Sequence, residues 1–326
     1  MLKTVLGFIV ASAVITLCIA LGLIASQRPV EITGGEGLDF TNTLASDRVQ
    51  PAPLAPVVMR DGFPLQVREY LNADPDAPMV ILVHGSGWHG LQFDTIARSL
   101  SADAHVLVPD LRGHGPKPGR RGDIDYIGQF EDDLADLIAA KQRAGQNVVL
   151  AGHSSGGGLV TRFAGGAHGA LMDGAVLLAP FLKHNAPMTK PNSGGWAHTL
   201  LRRIIGLSML NTARITALNH LTIIQFNMPR AVLDGSLGDT ATTSYSYRLN
   251  TSFAPRAKYL DDVAALPKFA LIVGAEDEAF DAALYAPTLT VVTDKGTYVT
   301  VPDTGHLDIV NAPQTLQTIR EFLDDL

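Results

Sequence analysis

The sequence has little cysteine: Cys18 is its single one in 326 residues. It lies in an N-terminal apolar segment, so the rest of the chain holds no disulfide and no cysteine-based metal site. Histidine supplies no metal spacing either, because His84 and His89 are too far apart for one helical face and sit in a glycine-rich loop. A dinucleotide fingerprint is missing as well, since Gly85-Ser-Gly87-Trp88 lacks the third glycine of Gly-x-Gly-x-x-Gly. Charged residues make up only 17% of the chain, the net charge is −7, and no basic run is long enough for a nucleic-acid surface. No internal repeat is visible. The expectation is a protein with no cofactor, no metal and no nucleic-acid partner. What the chain does have is apolar residues, 46% of the total, ample for one large core or one core with an insertion.

The longest apolar run is at the start. Thr4 to Ser26 carries no charge and is long enough to span a bilayer as a helix. Its exit, Leu23-Ile-Ala-Ser26, has no small residue three before a usable cut, which favours an uncleaved anchor over a secretory signal peptide. Leu17 before Cys18 argues against lipidation. Lys3 on one side and Arg28 on the other give a bias toward a cytoplasmic N-terminus, with the remainder outside the cytoplasm. Residues 1–28 are thus expected to be a transmembrane anchor or signal segment. Residues 29–56, rich in Gly, Pro and small polar residues, read as a linker.

Regular patterning begins at Val57. Val57–Met59 and Leu65–Tyr70 read as strands around the turn Arg60-Asp-Gly-Phe63. Met79–Val83 is an unbroken apolar strand, buried on both faces. Phe93–Leu100 reads as a short helix, Ala104–Pro109 as a strand and Ile127–Arg143 as an amphipathic helix. Val148–Ala151 and Ala175–Ala179 are further apolar strands. This alternation predicts an α/β fold with a mostly parallel sheet, helices on both faces, and ligands at the strands' C-terminal ends. From about 181 to 266 the alternation breaks, and an insertion there reads as a helical cap. Its apolar stretch Leu200–Leu221 is placed to line an acyl pocket, to face a membrane, or simply to pack on the core. Phe269–Val273 and Tyr298–Val301 resume the sheet, and Pro313–Leu323 closes the chain as an amphipathic helix.

Between strand and helix stands Gly152-His-Ser-Ser-Gly156, which fits Gly-x-Ser-x-Gly. In that context the pattern is a nucleophile elbow, with Ser154 at a strained apex whose neighbours must lack bulk. Asp277 follows the strand ending near Gly274, and His306 lies in a Gly-His loop after the last strand. A serine hydroxyl needs a base to take its proton, an imidazole serves near neutral pH, and a carboxylate sets its tautomer. Glu276, Glu278 and Asp281 lie near Asp277 and read as solvating carboxylates. The glycine-rich loop His84-Gly-Ser-Gly-Trp88 is placed to give half of an oxyanion hole, with the backbone N–H groups of Ser86 and Ser155 as donors. His84 reads as a brace for that loop.

Taken together, Val83-His-Gly-Ser-Gly87, Asp110-Leu-Arg-Gly-His-Gly115, Gly122-Asp-Ile-Asp-Tyr126 with Asp132-Asp133-Leu134, Gly152-His-Ser-Ser-Gly156, Gly274-Ala-Glu-Asp277 and Gly305-His306 resemble the α/β-hydrolases. Within them the resemblance is to the serine hydrolases grouped with monoacylglycerol lipases and lysophospholipases, and it spans nearly all of residues 57–326. It implies cleavage of a carboxylic ester, such as a monoacylglycerol, a lysophospholipid or another short acyl ester, through an acyl-enzyme on a Ser154–Asp277–His306 triad, with no cofactor. The same site would equally serve an amidase or peptidase, an acyltransferase or a carbon–carbon hydrolase. A membrane-tethered binding module that kept the fold without catalysis is the reading from a different class.

Overall fold

The computed structural model describes residues 1–32, 37–41 and 50–326. Its main body is one eight-stranded sheet. The strands are β1 (Leu54–Val58), β2 (Pro64–Tyr70), β3 (Met79–Val83), β4 (His105–Asp110), β5 (Val148–His153), β6 (Gly174–Leu178), β10 (Lys268–Gly274) and β11 (Gly296–Val301). Their order across the sheet is β1-β2-β4-β3-β5-β6-β10-β11. Only β2 runs antiparallel to its neighbours; the others from β4 to β11 pair in parallel. The five residues of β3, Met-Val-Ile-Leu-Val, are fully buried, as expected for a strand covered on both faces.

Register places the site. Val83 of β3 lies opposite Gly152 of β5, His153 opposite Leu178 of β6, and Gly274 of β10 opposite Val301 of β11. The C-terminal ends of these strands therefore form one edge. Strand order reverses at β3, with β4 on one side and β5 on the other, and a crevice opens at such a point. Four helices cover the sheet or flank it: α2 (Asp94–Leu100), α3 (Gln129–Lys141), α4 (Ser155–Ala164) and, at the chain's end, Pro313–Asp324.

The first strand begins at Leu54, so the expected linker ends three residues earlier than its composition indicates. Within that linker, residues 33–36 and 42–49 lie outside the described residues. The insertion between β6 and β10 differs more. Leu200–Leu221 is not one helix: α5 (Leu201–Thr212) stops, and the chain turns into β8 (Thr222–Phe226). With β7 (Ala197–Thr199) and β9 (Ser244–Ser246) this forms a separate three-stranded antiparallel sheet. A short helix, α6 (Tyr247–Phe253), follows. The insertion is thus mixed rather than purely helical. β-branched residues at Thr222, Ile223 and Ile224 favour the extended form once the chain leaves α5.

At the N-terminus α1 (Leu2–Ala25) is a single helix, long and apolar enough to be a membrane anchor or signal sequence. Most of its apolar side chains are exposed, among them Leu6, Phe8 and Ile9. Its last two turns are different. Ala20 and Ile24 are buried in a second apolar cluster with Leu207, Leu210, Ile223 and Tyr247. Gly206 permits this approach, because a Cβ there would stand 2.5 Å from the Ala20 carbonyl oxygen and 2.7 Å from Ile24.

Candidate active site

Ser154 stands between β5 and α4 with φ 54° and ψ −120°, a conformation that non-glycine residues rarely adopt. Its neighbours show why they are glycines. A Cβ at Gly152 would lie 2.4 Å from the backbone of Gly156, and one at Gly156 would lie 2.1 Å from the Val83 carbonyl oxygen. Strand, turn and helix pass too closely for any side chain, and Ser154 projects from the apex. Its hydroxyl has no hydrogen-bond partner among the described residues.

His306 lies in the loop after β11, and its Nδ1 is 2.8 Å from Asp277 Oδ2. Both side chains are about 1% exposed. Asp277 Oδ1 accepts the backbone N–H groups of Ala279 and Phe280, each at 2.8 Å. Burial on its own would raise this carboxyl, but the His306 charge and hydrogen bond, with those two N–H groups, hold it below the usual carboxylate range. Of the neighbouring acids, Glu278 also reaches His306, by accepting its backbone N–H at 2.7 Å. The side chain between Gly152 and Ser154 completes the support. His153 Nε2–H donates to the His306 carbonyl at 2.9 Å, and its Nδ1 faces Gln92 Nε2 at 3.2 Å. Burial, and then the adjacent His306, push His153 down to about 3, so it is a neutral strut.

The loop after β3 packs directly on the elbow: a Cβ at Gly85 would be 3.1 Å from Ser154 Cβ. Ser86, Ser154, Ser155 and His306 line one cleft, and the backbone N–H groups of Ser86 and Ser155 carry no hydrogen bond among the described residues. His84 is a brace, as expected. Its Nδ1–H donates to Gly85 O at 2.8 Å, its Nε2 accepts the Leu111 N–H at 3.0 Å, and burial lowers it to about 4.

The inserted sheet holds this loop from the other side. Gly87 N–H donates to the Tyr245 hydroxyl at 2.6 Å, and that hydroxyl is 2.6 Å from His114 Nε2. His114 is buried and held well below its ordinary value, so its Nε2 accepts the tyrosine proton. Thr242 N–H donates to Gly87 O at 2.9 Å, and Trp196 Nε1–H to Ser86 Oγ at 3.2 Å. Tyr245 and Trp196 stand in no motif and were not legible as site residues; His153 lies within the elbow motif and Glu278 beside Asp277, but nothing in their spacing names His306 as the partner, and Glu278 holds the His306 backbone rather than only solvating. The Asp110–Gly115 motif serves as scaffold: Asp110 pairs with Arg68 at 2.9 Å and Arg112 with Asp133 at 2.7 Å. Among the described residues no group of three His, Cys, Asp or Glu side chains is placed to hold a metal ion.

The chain belongs to the alpha/beta hydrolase family, whose model matches residues 80–316. A monoacylglycerol lipase of Mycolicibacterium smegmatis is 35% identical over 99 residues, covering 29% of this chain and 34% of that protein. Among solved structures, a soluble variant of monoglyceride lipase from Saccharomyces cerevisiae superposes with a TM-score of 0.65 at 16% identity, covering 86% of this chain and 99% of that one. The monoacylglycerol lipase of Paleococcus ferrophilus superposes with a TM-score of 0.60 at 21% identity, covering 81% and 99%. These two likenesses are of fold. The chain spans about a quarter of the length of the first curated relatives it matches.

Proposed function

We propose that this protein is a serine hydrolase of carboxylic esters. Ser154 Oγ attacks the acyl carbon, and His306 Nε2 takes the serine proton and then delivers it to the departing alkoxide. Asp277 keeps the Nδ1 proton on His306 and balances the imidazolium. The Ser86 and Ser155 N–H groups receive the oxyanion, and each such donor is typically worth about 3 kcal/mol of barrier. Water then enters by the same route and releases the acid. The observation that carries the reading is the buried 2.8 Å pair of His306 Nδ1 and Asp277 Oδ2 behind a strained serine that borders the same cleft.

The substrate class is an ester with an apolar acyl chain: a monoacylglycerol, a lysophospholipid or another short acyl ester. Residues 29–53 act as a linker and the insertion at about 181–266 as a cap over the strand ends. We read α1 as a membrane tether that holds the hydrolase domain outside the cytoplasm, supported by the exposed apolar face of its first turns. The test is turnover of an ester panel by wild type and Ser154→Ala. Ester cleavage that disappears in the variant supports the reading. Cleavage of anilides or acyl transfer to added alcohols in preference to hydrolysis would reassign the reaction, and turnover undiminished in Ser154→Ala would end the proposal.

A further inference from the structure

Residues 37–41, which lie between α1 and the domain, border a cleft at Ser154. Leu38 and Phe40 are 7% and 6% exposed, although they belong to no helix or strand. Phe40 stands edge-on to Trp88, with ring centroids 6.4 Å apart, and 5.9 Å from Trp196. Trp88 belongs to the loop after β3 and Trp196 precedes β7, so Phe40 is wedged between domain and insertion. Asp39 N–H donates to Glu278 Oε1 at 3.4 Å, while Oε2 of the same carboxylate accepts the His306 N–H at 2.7 Å. One side chain thus ties this stretch to the loop that carries His306.

Ser154 borders two clefts. The one beneath this stretch has apolar Leu38, Phe40, Trp88 and Val310 in its walls together with polar Gln92 and Asn311, and it leaves about 30 Å³, room for no more than a few waters. The other lies under the insertion, is lined by Phe181, Ile224, Phe226 and Phe280 together with Ser193 and Asn250, and leaves about 50 Å³. Both clefts have apolar walls that suit a hydrocarbon chain, and the first is the one that Phe40 closes. A longer acyl chain has no space in the first cleft unless Phe40 gives up its contacts with both tryptophans.

We infer that the first cleft takes the acyl chain and that Phe40, backed by Leu38, is the wall that sets its length, restricting the site to acyl chains of a few carbons. The inference rests on the ester-hydrolase reading for its substrate, and its test separates the two. The first measurement is kcat/KM for p-nitrophenyl butyrate and octanoate with the full chain, as wild type, Phe40→Ala and Phe40→Trp. The ratio of octanoate to butyrate is expected to rise by at least about tenfold in Phe40→Ala, the factor for methylenes newly accommodated, and to fall in Phe40→Trp. A ratio is insensitive to partial loss of folded protein. The second measurement needs no turnover. Trp88 and Trp196 are the chain's two tryptophans, and both touch Phe40, so their emission reports occupancy as butyrate or octanoate is titrated in. Octanoate is expected to bind Phe40→Ala more tightly than wild type by a similar factor. Tighter octanoate binding without ester turnover in any variant would remove the ester reading and leave the wall in place. Ester turnover with an unchanged chain-length ratio in both variants would overturn the wall. So would titrations in which neither acid alters the emission, or in which octanoate binds wild type and Phe40→Ala alike.

Discussion

Replacing Asp277 by asparagine leaves its shape and changes one proton, and the surroundings dictate which one. Oδ1 accepts two backbone N–H groups at 2.8 Å, from Ala279 and Phe280. Only an oxygen can stay there, so the introduced amide nitrogen must face His306 Nδ1, where Oδ2 now lies at 2.8 Å. That nitrogen donates, which forces His306 Nδ1 to accept and moves the ring proton to Nε2. The nitrogen meant to take the Ser154 proton is then already protonated. The expected loss in kcat is on the order of 10⁴, about 5.5 kcal/mol of barrier. The two backbone donors keep their acceptor, so the melting temperature is expected to fall little. The assay is steady-state hydrolysis of a short ester beside a thermal melt. Activity within tenfold of wild type in a folded Asp277→Asn would refute the tautomer reasoning.

Three further perturbations test other parts of the structure. His84 and His153 are buried and held at about 4 and about 3; their folded values lie below the unfolded 6.5, so their contribution is complete above pH 6.5 and is lost as pH falls toward 4. At pH 5 each costs about 2 kcal/mol relative to pH 8, and His114 acts in the same direction. Asp110 and Asp133, raised by burial, act with the opposite sign and trim the difference. Urea unfolding at the two pH values is expected to show this loss, reduced by about 2 kcal/mol in His153→Gln; an equal pH difference in that variant would contradict it. Tyr245→Phe removes the acceptor of the Gly87 N–H, and is expected to lower kcat about tenfold with KM nearly unchanged; a rise in KM alone would mean that Tyr245 does not position the oxyanion loop. Gly206→Leu cannot coexist with the Ala20 carbonyl, so amide exchange across 201–212 is expected to quicken about tenfold; unchanged exchange would mean that α1 does not brace α5.

Much of the central sheet was legible because its strands carry continuous apolar runs bounded by turn residues. Met79–Val83 begins and ends where the sequence placed it. Ser154 was legible because the elbow needs glycines at fixed offsets, and His306 because a Gly-His loop follows the last strand. Choosing Asp277 over Glu278 rested on one residue of distance from the strand end, and the geometry makes both relevant: Asp277 meets the His306 ring and Glu278 its backbone. The small antiparallel sheet was hidden on either side of Leu200–Leu221, since β7 and β9 have three residues each and β8 continues the apolar run that begins in α5, a signal shared by buried helix and buried strand. Phe40 was hidden for a different reason. It sits in a Gly-rich, polar stretch with no period, and its ring packs on Trp88 and Trp196, which are distant in sequence. The docking of α1 was invisible too, because an anchor's apolar residues look alike whether they face lipid or α5.

The central claim is that Ser154 is an activated nucleophile. Labelling with a fluorophosphonate probe, with wild type beside Ser154→Ala and His306→Ala, tests it most directly. The expected result is a labelled wild type, no label on Ser154→Ala, and labelling of His306→Ala slowed by about 10³ or more for want of the base. A label that survives Ser154→Ala, or a folded wild type that takes none, would contradict the account.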